Sequence, residues 1–138
     1  DLLATVTAIS DYGMYYAFNI CTSLTGSVSF PSLTTISLFG MSYAFYGCTS
    51  LTGSVSFPML TTIGNHGMDS VYYGCTGLTG SVSFPSLTSI GDSGMNYAFK
   101  DTGITEVHFK SSLSGSSNLT ADIIFGTTEG KSVLFDLS

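Results

Sequence analysis

Residues 41–67, MSYAFYGCTSLTGSVSFPMLTTIGNHG, form a unit that the chain repeats with few changes on both sides. The preceding copy begins at Met14 and reads MYYAFNICTSLTGSVSFPSLTTISLFG, and the following copy begins at Met68 and reads MDSVYYGCTGLTGSVSFPSLTSIGDSG. A fourth copy, MNYAFKDTGITEVHF, begins at Met95, so that the copies start every 27 residues. Self-similarity at one period of about 20–50 residues is typical of stacked repeats and predicts a solenoid.

The composition fits an ordered chain and argues against two classes of partner. Hydrophobic residues make up 43% of the 138 residues, which is enough for a core. Charged residues make up only 9%, the net charge is −6, and the three basic side chains are all lysine. Such a chain has little to neutralise phosphate groups, so we expect neither nucleic acid nor an anionic membrane as partner. No run of about 18 apolar residues occurs, and no transmembrane segment is predicted.

The order of residues within the second copy predicts a coil with three sides. Four apolar residues stand at positions i, i+3, i+4 and i+7, on one face of a two-turn helix or a 3₁₀ segment: Met41, Ala44, Phe45 and Cys48. Residues 54–57 then alternate polar and apolar side chains, as a short strand does, and Pro58 ends that strand. An extended arm follows with Leu60 and Ile63 inward, and residues 64–67 turn the chain back.

One such coil cannot cover its own apolar side chains, so the copies must stack about 4.8 Å apart. The fold class is therefore an α/β repeat solenoid with one short parallel strand and a short helical segment in each coil. We expect the strands to pair as one ladder: Val28–Phe30, Val55–Phe57 and Val82–Phe84. At the strand entrance the earlier copies hold one residue more than the fourth. This residue, Gly53 or Ser54 in the second copy, predicts a β-bulge.

We expect a single repeat domain over residues 1–138. Its layout is a partial coil (1–13), three full coils (14–40, 41–67 and 68–94), a shortened coil (95–110) and an irregular C-terminal cap or hairpin (111–138). Because residue 1 falls in the middle of a repeat, we expect the sequence to be part of a longer protein, with any signal or anchor outside it. The cut end carries Leu2, Leu3, Val6 and Ile9, and an end-to-end homodimer of the chain is a possibility that the sequence leaves open.

One series of residues resembles a known family. It comprises Ala44-Phe45, then Cys48-Thr49-Ser50-Leu51-Thr52, then a strand ending in Phe57-Pro58, then Leu60-Thr61 and Ile63-Gly64. This series is similar to the BspA-like (treponemal-type) leucine-rich repeats of bacterial surface proteins, although the 27-residue period is longer than is typical of that family. The resemblance implies a leucine-rich-repeat solenoid. It also implies an extracellular or cell-surface location and a role in adhesion or partner binding without catalysis, an inference by analogy because a fold does not fix a function.

The cysteines invite two interpretations. Cys21, Cys48 and Cys75 share one register, so stacking would place them about 5 Å apart, a separation that a disulfide could bridge. We favour reduced, buried thiols, because the fourth copy has Thr102 at this position and an odd count leaves one cysteine unpaired. No ligand spacing for zinc is present, and we predict neither a metal nor a cofactor.

Catalysis has little support in the sequence. His66 lies in a turn and His108 on a strand, and we expect both to be solvated and without a Ser, Asp or Cys partner that would build a nucleophilic triad. Asp11 and Asp92 share a register but lie three coils, about 14 Å, apart, which is too far for a pair of glycosidase carboxylates. The chain is therefore not expected to be an enzyme.

Variation among the copies identifies a candidate binding edge. The serines on the strand face hardly vary, whereas the turn before each methionine and two positions after it do. Variable, uncharged, aromatic positions on a rigid frame suit contacts with a protein or a glycan, although relaxed constraint in exposed turns would give the same pattern. The candidate ligand-binding residues are Tyr12, Tyr15, Phe39, Tyr46, His66 and Tyr73.

Three functions are compatible with these observations. The first is a non-catalytic binding or adhesion module of a bacterial surface or secreted protein. The alternative is a structural spacer or stalk within a larger surface protein. A third hypothesis is an ice-binding or phage-tip solenoid, suggested by threonine columns such as Thr34, Thr61 and Thr88.

Overall fold

The computed structural model describes residues 2–138. This part contains seven strands: β1 (Ala8–Ile9), β2 (Thr35–Ile36), β3 (Thr62–Ile63), β4 (Thr79–Phe84), β5 (Ser89–Ile90), β6 (Gly103–Lys110) and β7 (Ser132–Leu137). It also contains one α-helix, α1 (Ala121–Phe125), and two 3₁₀ helices, Leu2–Thr5 and Ser111–Leu113. The strands form two parallel sheets, ordered β1-β2-β3-β5 and β4-β6-β7. The predicted solenoid with parallel strands is confirmed.

The first sheet runs along the extended arm that follows each Phe-Pro pair. Equivalent residues of neighbouring coils face each other, as Thr35 faces Thr62 and Ile36 faces Ile63. The isoleucines are buried and the threonines are partly exposed. The sequence predicts an extended arm here but gives no sign of a ladder, because only two residues per coil pair and so short a stretch shows no alternation.

The second sheet is the predicted ladder, but it is regular only toward the C-terminus. Val82 and Phe84 of β4 pair with Val107 and Phe109 of β6 as expected. The ladder predicted through Val28–Phe30 and Val55–Phe57 is reduced to a bridge between Ser29 and Ser56. Here the register shifts by two residues, because Gly26 faces Leu51 whereas Ser29 faces Ser56; between β4 and β6 it shifts by only one residue.

The irregularity lies at the strand entrance, where the sequence predicts a bulge, but the extra residue is on the strand of the fourth copy and not, as predicted, on that of the earlier copy. In the pairing of β4 with β6 the register shifts between Gly80 and Ser81, the equivalents of Gly53 and Ser54, and here Thr105 of the opposite strand is left unpaired. Gly26, Gly53 and Gly80 all have a left-handed backbone, with φ of 81°, 75° and 85°. A Cβ atom at Gly26 or Gly80 would meet nothing within 4 Å, so backbone conformation rather than space favours glycine at these positions.

The predicted helical side of each coil is a run of hydrogen-bonded turns. We call the four segments 11–20, 38–47, 65–74 and 92–101 the turn runs. Within each run alternate N–H groups close turns of the 3₁₀ type, such as Ala44 N to Met41 O at 3.0 Å. In the first three runs the intervening N–H groups donate to the next turn run, as Met41 N does to Gly67 O at 2.8 Å.

A left-handed residue at every fourth position prevents these turns from becoming a helix. In the second turn run the residues concerned are Phe39, Tyr43 and Gly47, with φ of 52°, 57° and 71°. Non-glycine residues pay about 1–2 kcal/mol for this conformation. Hydrogen bonding between turn runs offsets that cost, because the N–H groups of all three residues donate to carbonyls of the third turn run. The apolar spacing predicted the buried side correctly, since Met41, Ala44, Phe45 and Cys48 are fully buried.

Equivalent core residues stack on one another along the solenoid. Phe30, Phe57, Phe84 and Phe109 form one column, with neighbouring ring centroids 5.4 Å apart. A second column contains Phe18, Phe45, Tyr72 and Phe99, with centroid separations of 5.2–5.7 Å. Each fully buried ring contributes about 1.5–3 kcal/mol through burial, so these columns are a main source of stability.

The cysteines are free thiols within this core. Cys48 and Cys75 are buried, and Cys21 is partly exposed. The Sγ atoms of Cys48 and Cys75 each donate a hydrogen bond to a carbonyl of the preceding coil, Phe18 O and Phe45 O, at 3.0 Å. In the fourth coil Thr102 donates instead to Phe99 O of its own coil at 2.8 Å. The favoured interpretation of reduced, buried thiols agrees with the structure for Cys48 and Cys75, whereas Cys21 is only partly buried.

The C-terminal segment contains no hairpin. The stretch 121–125, within the segment predicted as an irregular cap or hairpin, is helix α1: Thr120 caps its N-terminus by accepting from Ile123 N, and Gly126 ends it in a left-handed conformation. β7 then runs parallel to β6 and adds a further rung to the second sheet. The helix also covers the last turn run, because Tyr97 N donates to Ile123 O.

The opposite end is more open. Apolar residues of the first coil are partly exposed although their equivalents in the second and third coils are fully buried: Met14, Phe18, Cys21 and Leu24.

Candidate functional site: the aromatic face

The six candidate binding residues all lie on the outer side of the turn runs. Tyr12, Phe39 and His66, which share one register, stack as parallel rings across three coils. The Tyr12 and Phe39 centroids are 5.2 Å apart at 9°, and those of Phe39 and His66 are 4.6 Å apart at 0°. Tyr15 packs edge-on against Tyr12 and Phe39, with centroid separations of 5.3 and 6.1 Å. The structure therefore brings four of the six candidates into direct contact.

The remaining two candidates belong to a second group of rings. Tyr46 and Tyr73 lie edge to face, with centroids 5.2 Å apart, and Tyr46 also contacts Tyr43. Tyr43 stacks in parallel on Tyr16 at 4.7 Å, and Tyr73 contacts Tyr97 at 6.1 Å. Tyr15 and Tyr16 are 4.6 Å apart and join the two groups. We call the resulting surface the aromatic face: Tyr12, Tyr15, Tyr16, Phe39, Tyr43, Tyr46, His66, Tyr73, Tyr97 and Lys100.

Sequence reasoning missed three members of this surface. Tyr16, Tyr43 and Tyr97 occupy the same position of three coils. The predicted candidates are positions that vary among the copies, whereas this tyrosine recurs unchanged in three copies next to the buried Ala-Phe pair. The shared register was the available signal. The left-handed backbone at these residues, which directs their rings outward beside the neighbouring columns, could not be anticipated from their side chains.

The aromatic face is half exposed and carries few charges. Tyr12, Tyr15, Tyr16 and Tyr97 are 38–52% exposed, and the other rings are partly buried by their neighbours. Partial burial raises the pKa of Tyr16, and the neighbouring phenols of Tyr15 and Tyr43 raise it further. The hydroxyl of Tyr16 therefore stays protonated, as a neutral hydrogen-bonding group, throughout the physiological range.

A lysine covers one end of the aromatic face. The Nζ atom of Lys100 lies 5.2 Å from the ring centroid of Tyr97 and 5.7 Å from that of Tyr73. Both distances are within the range of a cation–π interaction. Lys100 occupies the register of Tyr73 and Tyr46 in the preceding coils, so the ammonium group takes the place of a ring in the same column.

Contrary to the sequence-based expectation, His66 has a carboxylate partner. Its Nδ1 lies 2.9 Å from Asp69 Oδ2, and Asp69 Oδ1 accepts from the Ser70 hydroxyl at 2.9 Å. The prediction failed because Asp69 is three residues away in the same turn run and not in another coil. The carboxylate lies between the imidazole and the hydroxyl, so the group is not a triad in which histidine takes the serine proton. It fixes the orientation of the His66 ring under Phe39.

His108 also has partners and is not solvated as predicted. Its side chain is only 17% exposed. Nδ1 lies 2.9 Å from both carboxylate oxygens of Asp136, and Nε2 lies 3.1 Å from Glu106 Oε1. This cluster was not predicted from the sequence, because the parallel pairing of β7 with β6 was not expected. These residues lie on the second sheet, away from the turn runs, and we assign the cluster to the β6–β7 contact.

The repeat pattern of the chain matches that of one known family. A sequence model described as the BspA type leucine rich repeat region matches residues 3–120 in six copies. The chain belongs to the BspA-type leucine-rich repeat family. Members of this family are generally bacterial surface or secreted proteins with repeat and binding roles. No curated protein and no solved structure gives a significant match to the chain.

The hydroxyl columns of this BspA-type repeat consist of threonines on the extended arm and serines on the strand face. The hydroxyls of Thr34, Thr61 and Thr88 donate to carbonyls of the preceding coil at 2.9–3.2 Å. Their protons are thus engaged within the solenoid, which weakens the ice-binding hypothesis that this column suggested. The strand-face serines 27, 54, 56, 81 and 83 are exposed, as expected from the alternation with buried valine and phenylalanine.

Among residues 2–138, no group of three His, Cys, Asp or Glu side chains is placed to hold a metal ion, and no pocket is detected. Within the described chain, no helix has both the length and the apolar character needed to span a bilayer.

Proposed function

We propose that the chain is a non-catalytic binding or adhesion module of a bacterial surface or secreted protein, which contacts its ligand through the aromatic face. The observation that supports this most is the continuity of the surface. Rings from all four turn runs touch in sequence, and four of the tyrosines are 38–52% exposed. Clustered tyrosines of this kind supply large contact area at low entropic cost, as in many binding surfaces.

The rigidity of the aromatic face supports the proposal. Each turn run is tied to the next coil by backbone hydrogen bonds, for example Tyr43 N to Asp69 O at 3.0 Å and Phe39 N to Asn65 O at 3.0 Å. The side chains are held in addition by ring stacking. A surface that is ordered before binding loses little conformational entropy when a ligand arrives, and more of the contact energy is available for affinity.

The ring orientations favour a protein ligand over a glycan. A sugar ring is best recognised by an aromatic ring with a free face. On this surface Phe39 lies between Tyr12 and His66, and Tyr43 lies against Tyr16, so that the coils cover many of one another's ring faces. The most exposed rings that remain are those of the first turn run, Tyr12, Tyr15 and Tyr16, and with their hydroxyls they suit planar and hydrogen-bonding side chains of a protein.

Binding to arrays of proteins and glycans tests the proposal. The solenoid itself indicates which substitutions its backbone accepts, because other coils have smaller residues at the same register. Phe39→Ser follows Ser93, and Tyr46→Asn follows Asn19. We expect the double variant to bind its ligand at least about tenfold more weakly. The matched control is Met59→Ser, which removes a 52% exposed side chain outside the aromatic face and follows Ser32 and Ser86.

The two outcomes separate the candidate functions. Loss of binding in the double variant, with binding retained by Met59→Ser and thermal unfolding little changed in both, would support the aromatic face. Unchanged binding in the double variant would defeat this assignment. The absence of any ligand on broad arrays would favour the alternative of a structural spacer within a larger surface protein.

We also propose that the isolated chain associates end to end through its first coil. Met14, Phe18 and Leu24 are partly exposed there, and Ala17 is exposed although its equivalent Ala44 is buried. We expect the mass measured by sedimentation to rise with concentration, and Ala17→Glu to abolish the rise. A constant monomer mass for the unaltered chain would contradict this proposal.

A further inference from the structure

We propose that the ligand of the aromatic face is a cationic protein segment whose arginine side chains lie against the tyrosine rings. This inference rests on the proposed function and names the chemistry of the partner. It is carried by three observations: the contact that Lys100 already makes, the charges along the turn runs, and the form of the ring surface.

Lys100 shows within the molecule how a cation fits this surface. Its ammonium group lies over Tyr97 of its own coil and Tyr73 of the preceding coil, at 5.2 and 5.7 Å from the ring centroids. Tyr46 and Tyr43 are related to each other as Lys100 and Tyr97 are, three residues apart along a turn run. In the second turn run the ring of Tyr46 already fills the place of that ammonium group. The tyrosines of the first turn run are 41–52% exposed and are open to a cation from outside: Tyr12, Tyr15 and Tyr16.

The charges along the turn runs favour a positive partner. Within the described residues the four runs carry the carboxylates of Asp11, Asp69, Asp92 and Asp101, against Lys100 as the single lysine. Asp69 is engaged with His66 and Ser70, whereas the other three are exposed. Because the whole chain has a net charge of −6, a basic segment would also be attracted at long range.

The two remaining lysines do not oppose such a partner. Lys110 lies at the end of β6 in the second sheet, away from the turn runs. The Nζ atom of Lys131 donates to Ile104 O at 2.6 Å and to Thr102 O at 3.1 Å, and it lies over the ring of Phe125. Both charges are therefore placed outside the aromatic face.

Arginine suits the surface better than lysine. Its guanidinium is planar and weakly hydrated, stacks on aromatic rings and still offers N–H donors at its rim. The tyrosine hydroxyls and the exposed carboxylates of Asp11, Asp92 and Asp101 are acceptors for those donors. A segment with spaced arginines can thus use rings and oxygen atoms together.

A titration with matched peptides tests the inference. The probe is a capped peptide of alternating glycine and arginine, and its controls carry citrulline, the neutral near-isostere of arginine, or glutamate at the same positions. Backbone amide NMR signals of the ¹⁵N-labelled chain report the site and the Kd. We expect shifts at residues 12, 15 and 16 with the arginine peptide, and binding at least about fivefold weaker with citrulline.

Two lysine variants sharpen the test. Lys100→Asn, which follows Asn19 in the first coil, uncovers the rings of Tyr73 and Tyr97 for the ligand. Lys110→Asn makes the same change of charge away from the aromatic face. We expect the first variant to bind the arginine peptide about threefold more tightly than the second does.

The outcomes distinguish this inference from the function on which it rests. Equal binding of arginine and citrulline peptides, no binding of either, or equal affinities of the two lysine variants would overturn the cationic ligand. The proposed binding function would survive these results, because it is tested separately by the array experiment with Phe39→Ser and Tyr46→Asn. Failure of that experiment, with arginine-dependent shifts elsewhere on the chain, would overturn both.

Discussion

The imidazole ring of His66 lies parallel to the phenyl ring of Phe39, with the two centroids 4.6 Å apart. In the core of the same coils, Phe30 stacks on Phe57 with centroids 5.4 Å apart. The outer and inner columns follow from one cause, the hydrogen-bonded repeat of the backbone, which brings equivalent side chains together whether they point inward or outward. Residues of the aromatic face can therefore change while the core columns keep the coils in place.

Tyr72 is the one core ring of its column that carries a hydroxyl, and that hydroxyl is poorly accommodated. The side chain is fully buried, and its Oη atom has no hydrogen-bond partner within the described residues. Burial also raises the pKa of this phenol well above its ordinary value, so it remains a neutral, unsatisfied group. We predict that Tyr72→Phe increases the free energy of unfolding by about 1–3 kcal/mol, as measured by urea denaturation.

The neighbouring coil provides the control for this prediction. Phe45 stacks on Tyr72 with centroids 5.3 Å apart and occupies the same register. Phe45→Tyr should introduce a second unsatisfied hydroxyl and lower the free energy of unfolding by a similar amount. A Tyr72→Phe variant that is less stable than the unaltered chain would show that the hydroxyl has a partner in solution.

Gly80 and Gly115 allow backbone conformation to be separated from packing. A Cβ atom at either position would meet nothing within 4 Å, but only Gly80 has a left-handed backbone, with φ of 85°. We predict that Gly80→Ala lowers the free energy of unfolding by about 1 kcal/mol, and that Gly115→Ala leaves it unchanged or raises it slightly. Equal effects in denaturant titrations would indicate that the register shift at Gly80 does not depend on this conformation.

The repeat made the stacking order predictable but not the backbone of the turn runs. Once Met41, Ala44, Phe45 and Cys48 recur at a fixed period, their burial follows from the need to cover each coil. The same spacing fits a helix and a run of turns equally well. Which of the two forms depends on hydrogen bonds to the next turn run, which no local sequence pattern indicates. It also depends on residues with a left-handed backbone, such as Tyr43, and the residue type does not predict that conformation.

The candidate site was predictable to a similar degree. Variable positions led to Tyr12, Phe39 and His66, because a column of different residues on one register stands out among identical copies. The partners Asp69 and Asp136 were missed for a different reason. Asp69 contacts His66 along the same turn, and Asp136 reaches His108 only because β7 lies parallel to β6, a pairing for which the fading repeat gave no sign.

The three thiols should differ strongly in reactivity. Cys21 is partly exposed, whereas Cys48 and Cys75 are buried and donate to carbonyls. Burial raises the pKa of Cys48 and raises that of Cys75 to about 12, which removes the reactive thiolate at neutral pH. We predict that a thiol reagent modifies one cysteine rapidly in the folded chain and all three in denaturant. Rapid modification of two or more thiols under native conditions, or none because of a disulfide, would contradict the free, stacked arrangement.

His108 joins two strands through both of its ring nitrogens. Nδ1 lies 2.9 Å from the carboxylate of Asp136 on β7, and Nε2 lies 3.1 Å from that of Glu106 on β6. Because ionised carboxylates only accept hydrogen bonds, both contacts are satisfied when the ring carries two protons. The hydrogen bond to Asp136 raises the pKa of His108 above its ordinary 6.5; partial burial opposes this shift, and the contact with Glu106 supports it.

The stability of the chain should therefore depend on pH through His108. A pKa that is higher in the folded chain than in the unfolded one gives a contribution that is complete below pH 6.5 and is lost as pH rises through the folded value. Since Asp136 and Glu106 are about half exposed, we expect this contribution to reach at most about 1 kcal/mol. Urea denaturation at pH 6 and pH 8.5 measures this contribution, and His108→Gln should remove most of the difference in unfolding free energy between the two pH values. His66 is present in both proteins, so it cannot account for such a loss. A variant that retains the full pH dependence would place the titrating group elsewhere.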